Sequence, residues 1–78
     1  MSPKLPVVSG DDLIRVLEKI GYVRVRQKGS HVRLRHSTEP QRKQLTIPLH
    51  KTLKRGLLRH LLTDARISVE KFSTYLWD

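Results

Sequence analysis

The chain has 78 residues, enough for one small domain with a single hydrophobic core and too few for two. It contains no cysteine, which excludes disulfide bonds and cysteine-ligated zinc and agrees with a reducing compartment. No apolar run is long enough for a signal peptide or a membrane span. We therefore expect one soluble, cytoplasmic domain over residues 1–78, with no membrane partner.

Positive charge is concentrated in the middle of the sequence. Lys and Arg number 16 against 7 Asp and Glu, which gives a formal net charge of +9. Eleven of the basic residues lie between Arg24 and Arg59, where Glu39 is the only acid. Such a field attracts polyanions and disfavours folding through self-repulsion. It favours nucleic acid, an acidic protein or both as partners over a solvated surface that binds nothing.

The first predicted element is a helix over about residues 10–20. Ser9 and Asp12 have the spacing of a capping box, with Asp in the place where Glu or Gln is usual. Gly21 is placed to end the helix in a left-handed conformation. Between these signals, apolar residues recur with the spacing of one helical face: Leu13, Val16, Leu17 and Ile20.

Three strands are predicted next. Residues 22–28 and 31–36 each alternate apolar and polar side chains, and a short turn joins them, so we expect a hairpin of half-buried strands. Residues 44–49 form a third strand, in which Pro48 indicates an edge position or the strand end. The apolar set is expected to face the helices: Val23, Val25, Val32, Leu34, Leu45 and Ile47. The polar set is expected on the opposite face: Arg24, Arg26, His31, Arg33, Arg35 and Thr46.

Two helices close the predicted fold. Thr52 is a possible cap for the first of them and Ser68 for the second, shorter one. Their apolar faces are formed by Leu58, Leu61, Leu62 and Ala65, and by Phe72, Tyr75 and Leu76. The order helix, three-stranded sheet, helix, short helix predicts an α+β fold in which the helices cover one sheet face. The other face, with His31, is left open and basic.

The turn between the first two strands bears a family signature. Gly29, Ser30 and His31 stand where the HicA toxin family has a Gly-Ser-His motif, and the chain resembles that family over nearly its whole length. It departs from the common pattern at Leu57, where a small polar residue is frequent, and at Arg66, where glycine is frequent. Further matching segments are residues 6–10, 46–50, 54–58 and 67–72.

The resemblance implies both a fold and an activity. The fold is similar to that of double-stranded-RNA-binding domains, and the activity is metal-independent endonucleolytic cleavage of mRNA that depends on the motif histidine, here His31. It also implies a type II toxin–antitoxin system, in which a HicB-type antitoxin neutralises the toxin and only the complex contacts DNA. No cofactor and no metal ion are expected.

The chemistry of the residues agrees with this activity. RNA cleavage without a metal requires a base for the 2′-hydroxyl proton and cations for the charge that develops on the phosphoryl group. Histidine titrates near neutral pH and suits the role of the base, whereas Gly29 permits close approach of a ligand to the backbone. The residues expected to contact RNA are Arg24, Arg26, Lys28, Gly29, Ser30, Arg33 and Arg35.

Further basic residues cluster at the start of the second helix, where Lys54 and Arg55 are expected to receive an RNA phosphate. Simple exposure to solvent and contact with an acidic antitoxin surface are the alternatives for this cluster. Among the other histidines, His50 is the weaker candidate for a place at the site. His36 is expected in a structural or loop position, and His60 in solvent.

A non-catalytic RNA-binding module that uses the same basic face is the main alternative function. Both interpretations predict RNA affinity that falls steeply with salt, so that only turnover separates them. A DNA-binding helix-turn-helix made of the last two helices is disfavoured, because its reading helix offers few base contacts and contains Glu70.

Overall fold

The predicted order of elements is confirmed. The computed structural model describes residues 4–78, and the expected domain boundary at residue 1 lies outside them. The fold is α+β, with a three-stranded antiparallel sheet of order β1-β2-β3, in agreement with the expected resemblance to double-stranded-RNA-binding domains. The elements are α1 (Gly10–Lys19), β1 (Tyr22–Lys28), β2 (His31–His36), β3 (Leu45–Pro48), α2 (Arg55–Asp64) and α3 (Val69–Leu76). Within residues 4–78, no helix is long and apolar enough to cross a bilayer.

The predicted capping box starts α1. The Ser9 hydroxyl accepts a hydrogen bond from the Asp12 N–H, and the Asp12 carboxylate accepts one from the Ser9 N–H, both at 3.0 Å. The hydrogen bond from the Ser9 backbone holds the pKa of Asp12 below its ordinary value of 3.8. After the helix, Gly21 adopts a φ of +105°, as its position predicts.

The helices cover one face of the sheet, which we call the inner face; the opposite side is the outer face. α1 packs against β1, β3 and α3, and α2 packs against α3. On β2 the burial alternates strictly, with Val32 and Leu34 buried on the inner face. On the edge strand β3, Leu45 and Ile47 are buried, and the strand ends at Pro48 as predicted.

A β-bulge interrupts β1. Arg24 lies opposite Leu34 and Arg26 lies opposite Arg33, so that Val25 is an extra residue in this strand. Because side chains alternate along a strand, one extra residue reverses the face of every residue before it. The simple alternation expected for residues 22–28 therefore fails in the first half of the strand.

Two core predictions are wrong because of this bulge. Val23 and Val25 were expected on the inner face, yet they are 37% and 42% exposed. Tyr22 takes the inner position instead and is only 1% exposed.

Because of the bulge, Arg24 lies on the opposite face of the sheet from the one expected. Arg24 shares the inner-face side of the sheet with Leu34. Its Nε lies 3.7 Å from a carboxylate oxygen of Glu18 on α1. Arg24 is thus partly exposed on the helix side of the sheet, and the expectation that it lies on the open basic face is wrong.

The second helix begins later than Thr52 would indicate. Lys54 occupies the N-cap position of α2, and its side chain makes no capping hydrogen bond. Leu58, Leu61 and Leu62 are buried, as the spacing predicts. The expectation that Thr52 caps this helix is wrong.

A Schellman motif joins α2 to α3. The N–H groups of Arg66 and Ile67 donate to the carbonyl oxygens of Thr63 and Leu62, each at 3.1 Å. Arg66 adopts a φ of +58°, a left-handed conformation in which glycine is preferred. The predicted cap of α3 is confirmed, because the Ser68 hydroxyl accepts a hydrogen bond from the backbone N–H at position 71 at 3.0 Å.

Candidate functional site

The outer face of the sheet is exposed and basic. β2 places His31, Arg33 and Arg35 on it, and all three are exposed. None of the three strands contains an acidic residue. The ion pairs made by Arg and Lys side chains among residues 4–78 involve Arg15, Arg24, Arg42 and Lys43. The cations of the outer face are therefore not neutralised by the described chain.

The β1–β2 turn fixes the position of His31. Gly29 adopts a φ of +59° as the first of two turn residues, the arrangement of a type II′ hairpin turn. The hairpin register places Lys28 directly opposite His31, and residues so paired have Cβ atoms about 4.5–5.5 Å apart. On the other side, His31 lies opposite Pro48 of β3. The imidazole therefore has an ammonium-bearing neighbour on one strand and an apolar neighbour on the other.

Hydrogen bonds hold this turn against the rest of the sheet. The Leu49 N–H donates to the Ser30 carbonyl oxygen at 2.7 Å, which ties the turn to the end of β3. The Gln27 side-chain amide donates to the Gly29 carbonyl oxygen at 3.1 Å. The space where a Gly29 side chain would project is open, with no atom within 4 Å. A ligand can thus approach the backbone of a well-held turn.

A shallow depression surrounds His31, with a volume of about 360 Å³. We call it the His31 depression; its lining residues are Arg26, Lys28, His31, Arg33 and Thr46. Three of these five side chains are cations, and the fourth polar neighbour is a hydroxyl. The combination offers one proton acceptor and several donors to an anion such as a phosphodiester.

Arg33 is the most constrained of these cations. It lies opposite Arg26 on one side and Thr46 on the other. Its Nη1 donates to the side-chain oxygen of Gln44 at 3.0 Å, which orients the guanidinium and leaves other N–H groups free for a phosphate. Sequence reasoning missed Gln44, although it shares the period-two parity of Thr46 and so falls on the outer face.

Several residues expected at the site lie elsewhere. Arg35 is on the outer face but does not line the His31 depression, and Arg24 is on the helix side. Lys54 and Arg55 are exposed at the start of α2 and do not line it either. RNA contact by the outer-face residues and by this helix start stays a prediction.

The other histidines are separated from His31. His36 is buried on the inner face; its Nε2 lies 2.9 Å from the Ile20 carbonyl oxygen, and its Nδ1 accepts from the Glu39 N–H at 3.1 Å. His50 is exposed and does not line the depression. His60, expected simply in solvent, lies 3.2 Å from the carboxylate of Asp64.

No cluster of three or more His, Asp or Glu side chains suited to a metal ion occurs within residues 4–78. In a comparison with known protein families, the model of the HicA toxin of bacterial toxin–antitoxin systems matches residues 10–67. The matched range includes all three strands, α1 and α2, and therefore the whole His31 depression. No curated protein matches the chain.

Proposed function

The chain belongs to the HicA toxin family of bacterial toxin–antitoxin systems, and we propose that it is an endoribonuclease that cleaves mRNA on the outer face of its sheet. The observation that supports this most is the exposed imidazole of His31 in a depression with three cations and no acid. A toxin of such a system has an antitoxin partner. We take that partner to be a HicB-type protein that neutralises the toxin in the cytosol and provides the only contact with DNA.

Substrate binding is assigned to the cations of the depression. The phosphates of a single-stranded RNA contact Arg26, Lys28 and Arg33, and the Ser30 hydroxyl and the Gly29 backbone approach the same strand. Phosphate contacts of this kind position an RNA without reading its sequence. Lys54 and Arg55 provide a second phosphate contact at the start of α2, where the helix dipole also favours an anion.

His31 acts as the general base. Its neutral imidazole takes the proton of a 2′-hydroxyl, and the 2′-oxygen attacks the adjacent phosphorus atom. The bond from phosphorus to the 5′-oxygen breaks, the 5′-oxygen takes a proton from water, and the products are a 2′,3′-cyclic phosphate and a 5′-hydroxyl. Lys28 and Arg33 stabilise the negative charge that develops on the phosphoryl oxygens. One positioned base contributes about 10²–10⁴-fold, so we expect a slow nuclease.

The proposed mechanism assigns proton removal and charge stabilisation to protein side chains. We therefore propose that the reaction requires no metal ion. Cleavage in the presence of EDTA at the rate seen with Mg²⁺ tests this directly; cleavage only in the presence of a divalent cation would contradict it.

The central experiment compares two histidine variants. Purified protein is incubated with single-stranded RNA in EDTA, and His31→Ala is expected to lower the cleavage rate by about 10²-fold or more, while RNA binding largely survives. His50→Ala is the matched control, because His50 is also exposed but lies outside the depression. Equal cleavage by wild type and His31→Ala would disprove the proposed catalytic role. Salt-sensitive binding without cleavage by the wild type would favour the alternative of a non-catalytic RNA-binding module.

A further inference from the structure

A second depression lies on the helix side of the molecule, and it shares no residue with the His31 depression. We call it the Arg66 pocket. Its walls come from the end of α1, the β2–β3 loop, the α2–α3 turn and α3, and its volume is about 410 Å³. The residues that matter for the argument are Ile20, Arg42, Arg66, Ile67, Lys71 and Tyr75.

Two of the three cations in this pocket have no acidic partner among the described residues. Arg42 is already neutralised, because its Nη2 lies 2.9 Å from a carboxylate oxygen of Glu39 and its Nη1 donates to the Ala65 carbonyl oxygen at 3.2 Å. Arg66 and Lys71 take part in none of the ion pairs found in residues 4–78. The pocket therefore holds two cations whose charge is available to an anion.

The backbone conformation of Arg66 is unusual for an arginine. The same position after α1 is occupied by Gly21, which has a φ of +105°, whereas Arg66 has a φ of +58°. A left-handed residue after a helix is normally glycine, because a side chain disfavours that conformation. An arginine here weakens the turn, and its guanidinium makes no ion pair within the described residues in return. The cost of the left-handed conformation is therefore not offset by an ion pair within the described residues.

The remaining walls indicate the kind of anion. Ile20, Ile67 and the ring of Tyr75 give the pocket an apolar part beside its cations. Arg42 already binds a carboxylate, that of Glu39, at the same wall. A polypeptide segment that alternates carboxylates with aliphatic side chains fits this combination better than RNA. An RNA strand bound at the His31 depression would also lie on the side of the sheet opposite to the Arg66 pocket.

The geometry points to the Arg66 pocket as a docking site for an acidic, partly aliphatic segment of a protein partner. We take the partner to be the antitoxin, and this choice rests on the proposed function. The acidic and aliphatic character of the segment rests only on the residues that line the pocket. Arg66 and Lys71 bind the carboxylates of the segment, and Ile20 and Ile67 contact its aliphatic side chains. Docking here leaves the His31 depression on the other face to be covered by a different part of the partner.

The test uses the full chain and two short peptides. Acetyl-Glu-Leu-Glu-Leu-Glu-amide is titrated into ¹⁵N-labelled protein, with the peptide in which Gln replaces each Glu as the neutral control. We expect the acidic peptide to shift the amide resonances of Arg66, Ile67 and Lys71 and the neutral peptide to leave them in place. Hexauridylate, a single-stranded RNA probe, is expected to shift the amide resonances of residues 28–33 and of Lys54 and Arg55 instead.

Arg66→Gly separates binding from folding. The substitution places glycine in a left-handed conformation, so the melting temperature is expected to stay the same or rise. Affinity for the acidic peptide is expected to fall by roughly two- to five-fold, the effect of one exposed charge pair. Lys71→Gln is a second variant with the same expected loss, and Arg59→Ala removes an equal charge from α2 outside the pocket.

Three results would overturn the docking site: peptide shifts confined to the outer face, displacement of the Arg66 resonances by hexauridylate rather than by the peptide, or an equal loss of affinity in Arg59→Ala. RNA cleavage measured on the same proteins keeps the two proposals apart. Full cleavage by Arg66→Gly together with weaker peptide binding supports the docking site. Absence of cleavage by the wild type would contradict the nuclease proposal and leave the peptide result unaffected.

Discussion

The phenol ring of Tyr22 meets the imidazole ring of His36 edge to face, with ring centroids 5.1 Å apart and an angle of 79° between the planes. Both rings lie on the inner face, and the two residues are opposite each other in the β1–β2 register. Burial raises the pKa of the Tyr22 phenol above its ordinary value of 10.0. The folded state therefore favours the neutral phenol.

This burial predicts a loss of stability in alkaline solution. Because the folded-state pKa is raised, the contribution of Tyr22 is fully present below pH 10.0 and is lost as the pH rises through the folded-state pKa. Tyr22→Phe is expected to remove that part of the loss in thermal unfolding between pH 8 and pH 11. It gives up a long hydrogen bond of 3.5 Å to the Lys43 carbonyl oxygen, about 1 kcal/mol or less at neutral pH. Tyr75→Phe, at a half-buried position, is the control and should keep the alkaline loss.

The capping box of α1 predicts the opposite pH dependence. Asp12→Ala is expected to lower the free energy of unfolding by about 1 kcal/mol at pH 7. Since the folded-state pKa of Asp12 is lowered, its contribution is present above pH 3.8 and is lost as the pH falls through the folded-state pKa. Asp11→Ala is the matched control, because Asp11 is in the same first turn without a capping hydrogen bond. An equal, pH-independent effect of both variants in chemical denaturation would contradict this role.

The bulge in β1 allows a sharp test of the RNA surface. Arg26 lines the His31 depression, whereas Arg24, two residues earlier, lies on the helix side beside Glu18. Arg26→Ala is expected to weaken binding of single-stranded RNA and to reduce the salt dependence by about 0.7 in the slope of log K against log salt. Arg24→Ala should change neither quantity appreciably. Filter binding at several salt concentrations measures both, and equal effects would show that RNA does not distinguish the two sides of the sheet.

Gly21 and Gly56 are expected to respond in opposite ways to substitution by alanine. An added Cβ at Gly21 would lie 2.6 Å from Nε2 of His36, and the φ there is +105°. Gly21→Ala is therefore expected to destabilise the fold by about 2 kcal/mol or more, from backbone strain and the clash together. At Gly56, in α2, the space is open, and Gly56→Ala should be neutral or stabilising by up to about 1 kcal/mol. The denaturant concentration at the midpoint of unfolding, compared between each variant and the wild type at an unchanged m-value, measures both effects.

Most of the site was predictable because β2 alternates without interruption. Its parity alone places His31 and Arg33 outward and Leu34 inward, as found. In β1, however, Val23 and Val25 also alternate with arginines. This pattern is compatible with a regular strand and with a strand that contains a bulge. The pairing of buried Tyr22 with buried His36 selects the bulged register, and that pairing is a tertiary contact.

The start of α2 was missed for a similar reason. Thr52 has the chemistry of a cap, but the next residue, Leu53, is buried and its N–H donates to the Val8 carbonyl oxygen at 2.8 Å. The segment is thus held by the N-terminal chain before the helix begins. Arginine itself gives no local signal for the left-handed conformation of Arg66, and only the glycine that is frequent at this position in the resembled family points to it.

The inserted residue in β1 also decides where along the sheet a negative strand is drawn most strongly. The bulge places Val23 on the outer face and Arg24 on the inner face. Near the hairpin turn, the cross-strand pairs of the outer face therefore contain Lys28, Arg26 and Arg33. At the far end of the two strands, Arg35 is paired with Val23. The potential is therefore graded along the strands and not uniform. A polyanion that arrives anywhere on this surface is drawn toward the end where the imidazole lies.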